Sequence, residues 1–195
     1  ILGDFARYNA TENRYVVLKL NTGGSLIFSN EGAINRKPNC FYIDNFGNSY
    51  LGAHIYERFK LTKINSLGLI VWSDLIPTNS PSNVFSDLVQ AITVDSLQNV
   101  YVTGNHYGDD YGGSADSNQD ILTIKYSSSG SLLWSKRYEY LSNNAADSGL
   151  SITIDNNHNV YVAGQSQRNN AGTDYDYVVV KYDANGNEKG TIRYN

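Results

Sequence analysis

Apolar and polar positions alternate along this chain in short runs, and the runs return in pairs. One reads Ile92-Thr93-Val94-Asp95, then three polar or turn positions, then Asn99-Val100-Tyr101-Val102-Thr103-Gly104. It returns as Ile152-Thr153-Ile154-Asp155 and Asn159-Val160-Tyr161-Val162-Ala163-Gly164, and more weakly as Phe41-Tyr42-Ile43-Asp44 and Asn48-Ser49-Tyr50-Leu51. A period of two marks half-buried strands on either side of a break. The Asp and Asn at the break are turn formers, because their side chains bond the local backbone and tolerate left-handed conformations. Each copy therefore predicts a hairpin.

A second pattern alternates with the first. It is a lysine, a glycine five residues on, an aromatic nine on, then serine: Lys19, Gly24, Phe28, Ser29; Lys63, Gly68, Trp72, Ser73; Lys125, Gly130, Trp134, Ser135. A fourth copy keeps Lys181 and Gly186 and has Gly190 in the aromatic place. In the third copy residues 121–126 predict a strand, 127–130 a turn whose glycine supplies positive φ, and 132–135 the returning strand. One unit thus holds four strands, A to D.

Short strands at this spacing, with no helical period, predict an all-β fold: a β-propeller of four-stranded antiparallel blades. The blades fall at about 1–30 (partial), 39–74, 90–136 and 150–195. Apolar strand A is expected to line the centre and D the outer edge. Ile1-Leu2-Gly3 resembles Tyr50-Leu51-Gly52, so the first blade is expected to lack strand A. An open stack exposes strand edges, which proteins avoid. The expectation is a piece of a larger propeller, or two copies closing one ring.

The stretches around Asn99–Gly104 and Asn159–Gly164, followed by "DILTIKYSSSGSLLW" and "DYVVVKYDANGN", resemble SBBP-type β-propeller repeats. NHL-type repeats share the Asp-x-x-x-Asn-Val-Tyr-Val pattern but lack the lysine-to-tryptophan hairpin. The resemblance covers nearly the whole chain and implies a secreted or cell-surface protein.

Composition narrows the function. Charged residues are 17% and the net charge is −4 without a basic patch, which argues against nucleic-acid binding. No apolar run approaches the roughly 20 residues of a membrane span. The single cysteine, Cys40, lies on a predicted inner strand and reads as a small buried hydrophobe.

In this fold the A-to-B and C-to-D turns share one end of the blades and are short. The B-to-C and D-to-A connections share the other end and vary, and function concentrates in variable connections over a rigid scaffold. The richest, over 104–120, carries His106, Tyr107, Asp109, Asp110, Tyr111, Asp116 and Asp120. Its four carboxylates and its glycines have the oxygen chemistry of a calcium loop, at no standard spacing; the alternative is a solvated polar loop. Tyr107 and Tyr111, with Tyr175 in the connection over 165–176, suit stacking on a sugar ring. Asp87 and Asp147 each precede the motif aspartate by eight, as backbone tethers or as carboxylates at a channel mouth. No nucleophile elbow, zinc-protease helix or phosphate loop is present.

The expected function is a non-catalytic extracellular or cell-surface module. It would bind a protein or glycan through the long connections. The alternatives are a propeller hydrolase or lyase with carboxylates at the channel mouth, and a purely structural spacer.

Overall fold

The computed structural model describes residues 4–9, 14–33, 39–55, 58–75, 88–107, 119–140, 146–168 and 174–195, with backbone alone at 4–9, 14–16, 30–33, 54–55, 58–59 and 107. Every element among them is a β-strand. The first sheet holds β1 (Asp4–Asn9), β2 (Arg14–Leu20) and β3 (Leu26–Ala33). The second holds β4 (Cys40–Ile43), β5 (Ser49–Ile55), β6 (Arg58–Ile64) and β7 (Ile70–Leu75). The third holds β8 (Leu88–Val94), β9 (Val100–Tyr107), β10 (Gln119–Tyr126) and β11 (Leu132–Tyr138). The fourth holds β12 (Asp147–Ile154), β13 (Val160–Gln167), β14 (Tyr175–Tyr182) and β15 (Glu188–Tyr194). Each is an antiparallel meander with neighbours in chain order. These sheets are the propeller blades, and the first shows strands B, C and D. The chain forms two compact units, residues 1–76 with the first two blades and 77–195 with the last two.

The turn chemistry explains both repeats. Oδ1 of Asp95 accepts the backbone N–H of Leu97 and Asn99, and Oδ2 accepts the Asn99 amide and the Tyr101 hydroxyl. Asp44 and Asp155 hold their turns the same way, with Asn48 and Tyr50 and with Asn159 and Tyr161. The Asp–Asn–Tyr spacing is therefore one hydrogen-bonded unit that closes the A-to-B turn. In the C-to-D turn a register shift follows each lysine, and Gly130 takes φ 88° there. A bulge closed by a left-handed glycine is a common hairpin solution.

The glycine that ends the first motif has a different cause. Strand A bulges between Val89 and Ala91, and between Gly149 and Ser151. The bulge drives its backbone onto strand B, so a Cβ on Gly104 would stand 1.8 Å from the Leu88 carbonyl oxygen. One on Gly164 would stand 2.1 Å from that of Ser148. Only glycine fits such an approach. The second blade has Ala53 at this place because β4 is short and its pairing with β5 stops at Cys40 and Gly52.

Within the second unit the two blades stack face to face. Trp134 of β11 lies between Tyr101 and Tyr182, with ring centroids at 6.1 and 6.0 Å. Its indole N–H and the Lys125 ammonium both donate to the Ala184 carbonyl, at 3.2 and 3.0 Å. Lys125 also lies over the Tyr101 ring. The core joins Tyr101, Ile121 and Tyr138 to Val162, Val178 and Val180 of the fourth blade. Within the first unit, Val17 and Phe28 pack with Leu51, Ala53 and Ile64, and Lys19 donates to the Gly47 carbonyl at 2.9 Å. Cys40 is a free thiol, pushed up to about 12 by burial against the opposing effect of the Gly52 backbone.

The connection expected over 104–120 is shorter than those bounds. β9 runs on through Tyr107 and β10 begins at Gln119, so Gln119 pairs with Tyr107 and Asp120 with His106. His106 and Asp120 are strand residues, buried at 4% and 0% exposure.

Candidate functional site

The two ends of the third and fourth blades differ chemically. At the turn end the polar groups are spent on the turns themselves. Burial pushes the Asp95 carboxyl up, but its hydrogen bonds from Asn99, Tyr101 and Leu97 prevail and hold it below the usual carboxylate range. Asp155, bonded first by the Asn159 side chain, falls to about 2. His158 sits 3.5 Å from Asp95 across the two blades. A cavity of about 160 Å³ lies at this end between Asp95, Ser96, Ile154, Asp155, Asn156 and His158.

At the other end, where the long connections leave, a charged network spans the two blades. Asp120, at the start of β10, forms an ion pair with Arg137 of β11, and Arg137 reaches Glu139 at 3.6 Å. Burial pushes Asp120 up to about 7; Arg137 opposes the shift, and Glu139 and Asp147 add to it. Its Oδ1 has no hydrogen-bond partner among the described residues. Asp147, at the start of β12, is wholly buried. It accepts the Tyr140 backbone N–H at 2.9 Å and so ties the third blade's exit to the fourth blade's first strand. Burial raises its carboxyl in spite of Ser166, that N–H and Arg193. Ser148 donates to the Asn105 side chain at 2.7 Å across the same seam.

Beside this seam lies a more accessible group. Arg168 donates through Nε and a terminal nitrogen to Asp176, at 3.1 and 2.8 Å, and Arg193 donates to its other oxygen at 2.9 Å. The two guanidiniums hold Asp176 below the usual carboxylate range. Arg193 also stacks on the Tyr140 ring at 3.2 Å to the centroid. The Arg168 side chain is 39% exposed and Tyr175 is 44% exposed.

The structure thus brings His106, Asp120, Asp147 and Tyr175 to one end of adjacent blades. Asp147 acts there as a backbone tether, and Asp120 is committed to Arg137. Tyr107 is placed by its backbone in β9. Asp87, Asp109, Asp110, Tyr111 and Asp116 lie outside the described residues. Among the described residues no group of three or more His, Cys, Asp or Glu side chains could hold a metal ion.

Arg137, Arg168, Asp176 and Arg193 were not expected, although two of the pairs carry a repeat signal. Asp120 and Asp176 each stand five before a strand C lysine. Arg137 and Arg193 each stand three after the aromatic place. The first blade has Arg14 and Glu31 at these positions, the same pair with signs exchanged, and the second has Arg58 and Leu75. The lysine and aromatic repeats are the louder signal, and the pair is visible only once they are aligned.

The sequence matches no protein-family model and no curated protein. Several solved structures are similar in backbone. One is a protein of unknown function from Bacteroides caccae, at TM-score 0.48 and 8% identity, covering 98% of this chain and 82% of that one. A eukaryotic initiation factor gives TM-score 0.46 and 9% identity over 99% of this chain and 43% of its own. A catalytically inactive virginiamycin B lyase from Staphylococcus aureus gives TM-score 0.43 and 10% identity over 100% of this chain and 70% of its own. Likeness at this level carries no statement about activity.

Proposed function

We propose that this chain is a binding or scaffold module of an extracellular or cell-surface protein, of the SBBP-repeat kind. It recognises a protein or a glycan through the end where the long connections leave. The observation that supports this most is the contrast between the two ends. The turn-end carboxylates are saturated by their own turns, whereas the other end offers an accessible guanidinium, Arg168, and an exposed aromatic, Tyr175. A planar donor fork and an aromatic body at the same end of a blade suit a sugar or an acidic peptide. The test is an array of oligosaccharides and extracellular proteins probed with the labelled chain. Capture that falls with Tyr175→Ala and with Arg168→Ala supports the reading. Capture by no member of the array contradicts it and leaves the structural spacer.

One observation favours a second reading, a hydrolase or lyase. Asp120 titrates near neutrality and senses Asp147, as an acid–base pair would. Both carboxyls are buried at 0% exposure, though, and Asp147 is bonded to backbone, so substrate has no access to them as they stand. The binding reading asks for no such rearrangement.

A further inference from the structure

The four C-to-D turns differ at the residue before their closing glycine. In blade order it is Gly23, Leu67, Ser129 and Asn185, so the fourth turn alone presents an Asn-Gly pair, Asn185-Gly186, and the sequence holds no other. A glycine has no side chain to shield its own amide nitrogen from a close approach. An asparagine before it is therefore open to attack by that nitrogen on its side-chain amide carbon. Asn185 is exposed. Its counterpart Ser129 is exposed too, although the fourth blade packs against the third, so exposure goes with the place in the turn and not with the last blade.

The same turn is what the third blade grips. The Ala184 carbonyl accepts the Trp134 indole N–H and the Lys125 ammonium, at 3.2 and 3.0 Å. Gly186 is buried beneath the indole, and a Cβ on it would stand 2.8 Å from Trp134. The turn also holds itself. The Gly186 N–H donates to the Asp183 carbonyl at 3.0 Å, and Asp183 Oδ1 accepts the N–H groups of Asn185 and Asn187, each at 2.9 Å. Closing a ring between the Gly186 nitrogen and the Asn185 side chain turns the peptide between them out of this arrangement. That breaks the Gly186 hydrogen bond and draws Gly186 from beneath Trp134.

We propose that Asn185 is a site of deamidation, gated by the contact of Trp134 on its turn, and that its conversion loosens the third blade's hold on the fourth. The Gly186 nitrogen attacks the side-chain carbonyl carbon of Asn185. A C–N bond forms, the bond to the side-chain nitrogen breaks, and ammonia leaves with the Gly186 proton, giving a five-membered imide. Water then opens the ring at one carbonyl or the other, to aspartate or to isoaspartate. Isoaspartate puts one more carbon into the backbone between Ala184 and Gly186. A tight turn closed by the bond from Gly186 to Asp183 has no room for it. The Ala184 carbonyl then moves off the point that Trp134 and Lys125 share, and Gly186, left-handed at φ 80°, loses its place under the indole. Either product adds a carboxylate to a turn that already carries Asp183. The proposal stands apart from the recognition role of the long connections.

Peptide mapping of the whole chain, aged at mildly alkaline pH and read for the amide-to-acid mass gain and for isoaspartate, tests it. Asn185 should convert in the folded chain, at least about tenfold slower than in the chain unfolded by guanidinium, because the turn must open first. Trp134→Ala should speed conversion in the folded chain at least about threefold, since it removes the contact that keeps the turn shut. Should that variant not fold, Trp134→Phe keeps a ring without the Ala184 bond and should speed it by a smaller factor. Asn185→Ser, the residue of the third blade, should abolish the mass gain at this turn and leave the melting temperature unchanged. Aged wild-type chain, separated by charge from fresh chain, should melt lower, whereas aged Asn185→Ser should not lose stability at this turn. No conversion at Asn185 in the folded chain, conversion as fast folded as unfolded, or a converted chain that melts like the fresh one would each overturn the proposal.

Discussion

Asp120 and Asp176 hold the same position in successive blades, each facing the arginine three residues past the aromatic place, yet their carboxyls are pushed in opposite directions. Asp120 is wholly buried and rises to about 7, whereas the accessible Asp176 is held low by Arg168 and Arg193. The difference is burial, since desolvation penalises the charged form while a cation favours it.

From this follows a pH dependence of opposite sign at the two sites. Between about pH 4, where an unfolded aspartate titrates, and about pH 7, folded Asp120 holds a proton that the unfolded chain has released. Its contribution to stability therefore falls as pH rises through that window. Urea midpoints should show this decline in the wild type and its loss in Asp120→Asn. Asp176 contributes stability above about pH 4 that disappears as pH falls, and Asp176→Asn should flatten the acid limb instead.

The stacking of Trp134 between Tyr101 and Tyr182 joins the last two blades. Trp134→Ala should cost about 3 kcal/mol in equilibrium unfolding. Trp134→Phe keeps the ring but loses the bond to the Ala184 carbonyl, and should cost about 1 kcal/mol beyond any change in packing.

Gly104 and Gly164 face bulged backbone at distances no Cβ tolerates. Gly104→Ala should cost about 3 kcal/mol or more, since the clash is with a carbonyl rather than a side chain that can turn away. Ala53→Gly in the second blade, where the opposing strand stops short, should cost only about 1 kcal/mol. Thermal unfolding of the two variants side by side would show whether the bulge is the reason for the glycine.

Asp95 closes its turn with four accepted hydrogen bonds, one from the buried Tyr101 hydroxyl. Asp95→Ala should cost about 3 kcal/mol, because that hydroxyl loses its acceptor along with the backbone N–H groups. Asp155 titrates at about 2 when folded. Its stabilising effect is present above about pH 4 and is lost as pH falls toward 2. Asp155→Asn should therefore blunt acid unfolding, read by fluorescence against pH.

The blades were legible because each repeat is a local device. The Asp–Asn–Tyr unit and the lysine-to-aromatic hairpin close turns within one sheet, so their spacing survives in the chain. The tether role of Asp147 was foreseen as one of two readings, from its fixed offset to Asp155. The reason for Gly104 was not legible, because the clash is with a strand A bulge that leaves no mark of its own. The burial of Asp120 was hidden as well. It depends on how far β9 and β10 extend and on the blade that covers them, neither of which its polar neighbours reveal. The arginines fell outside the reading because their partners lie across the sheet.

If, as proposed, the long-connection end serves recognition while the turn end serves stability, substitutions at the two ends should act separately. The most direct measurement is a paired scan of the two ends, reading melting temperature and capture of an array ligand on the same samples. Asp95→Ala and His158→Ala form one set, and Arg168→Ala and Tyr175→Ala the other. Asp95→Ala should lower the melting temperature, and both turn-end variants should keep capture by the folded chain. The second set should lose capture at nearly unchanged melting temperature. Capture that simply follows melting temperature across both sets, or that vanishes with His158→Ala alone, would contradict the division of the two ends.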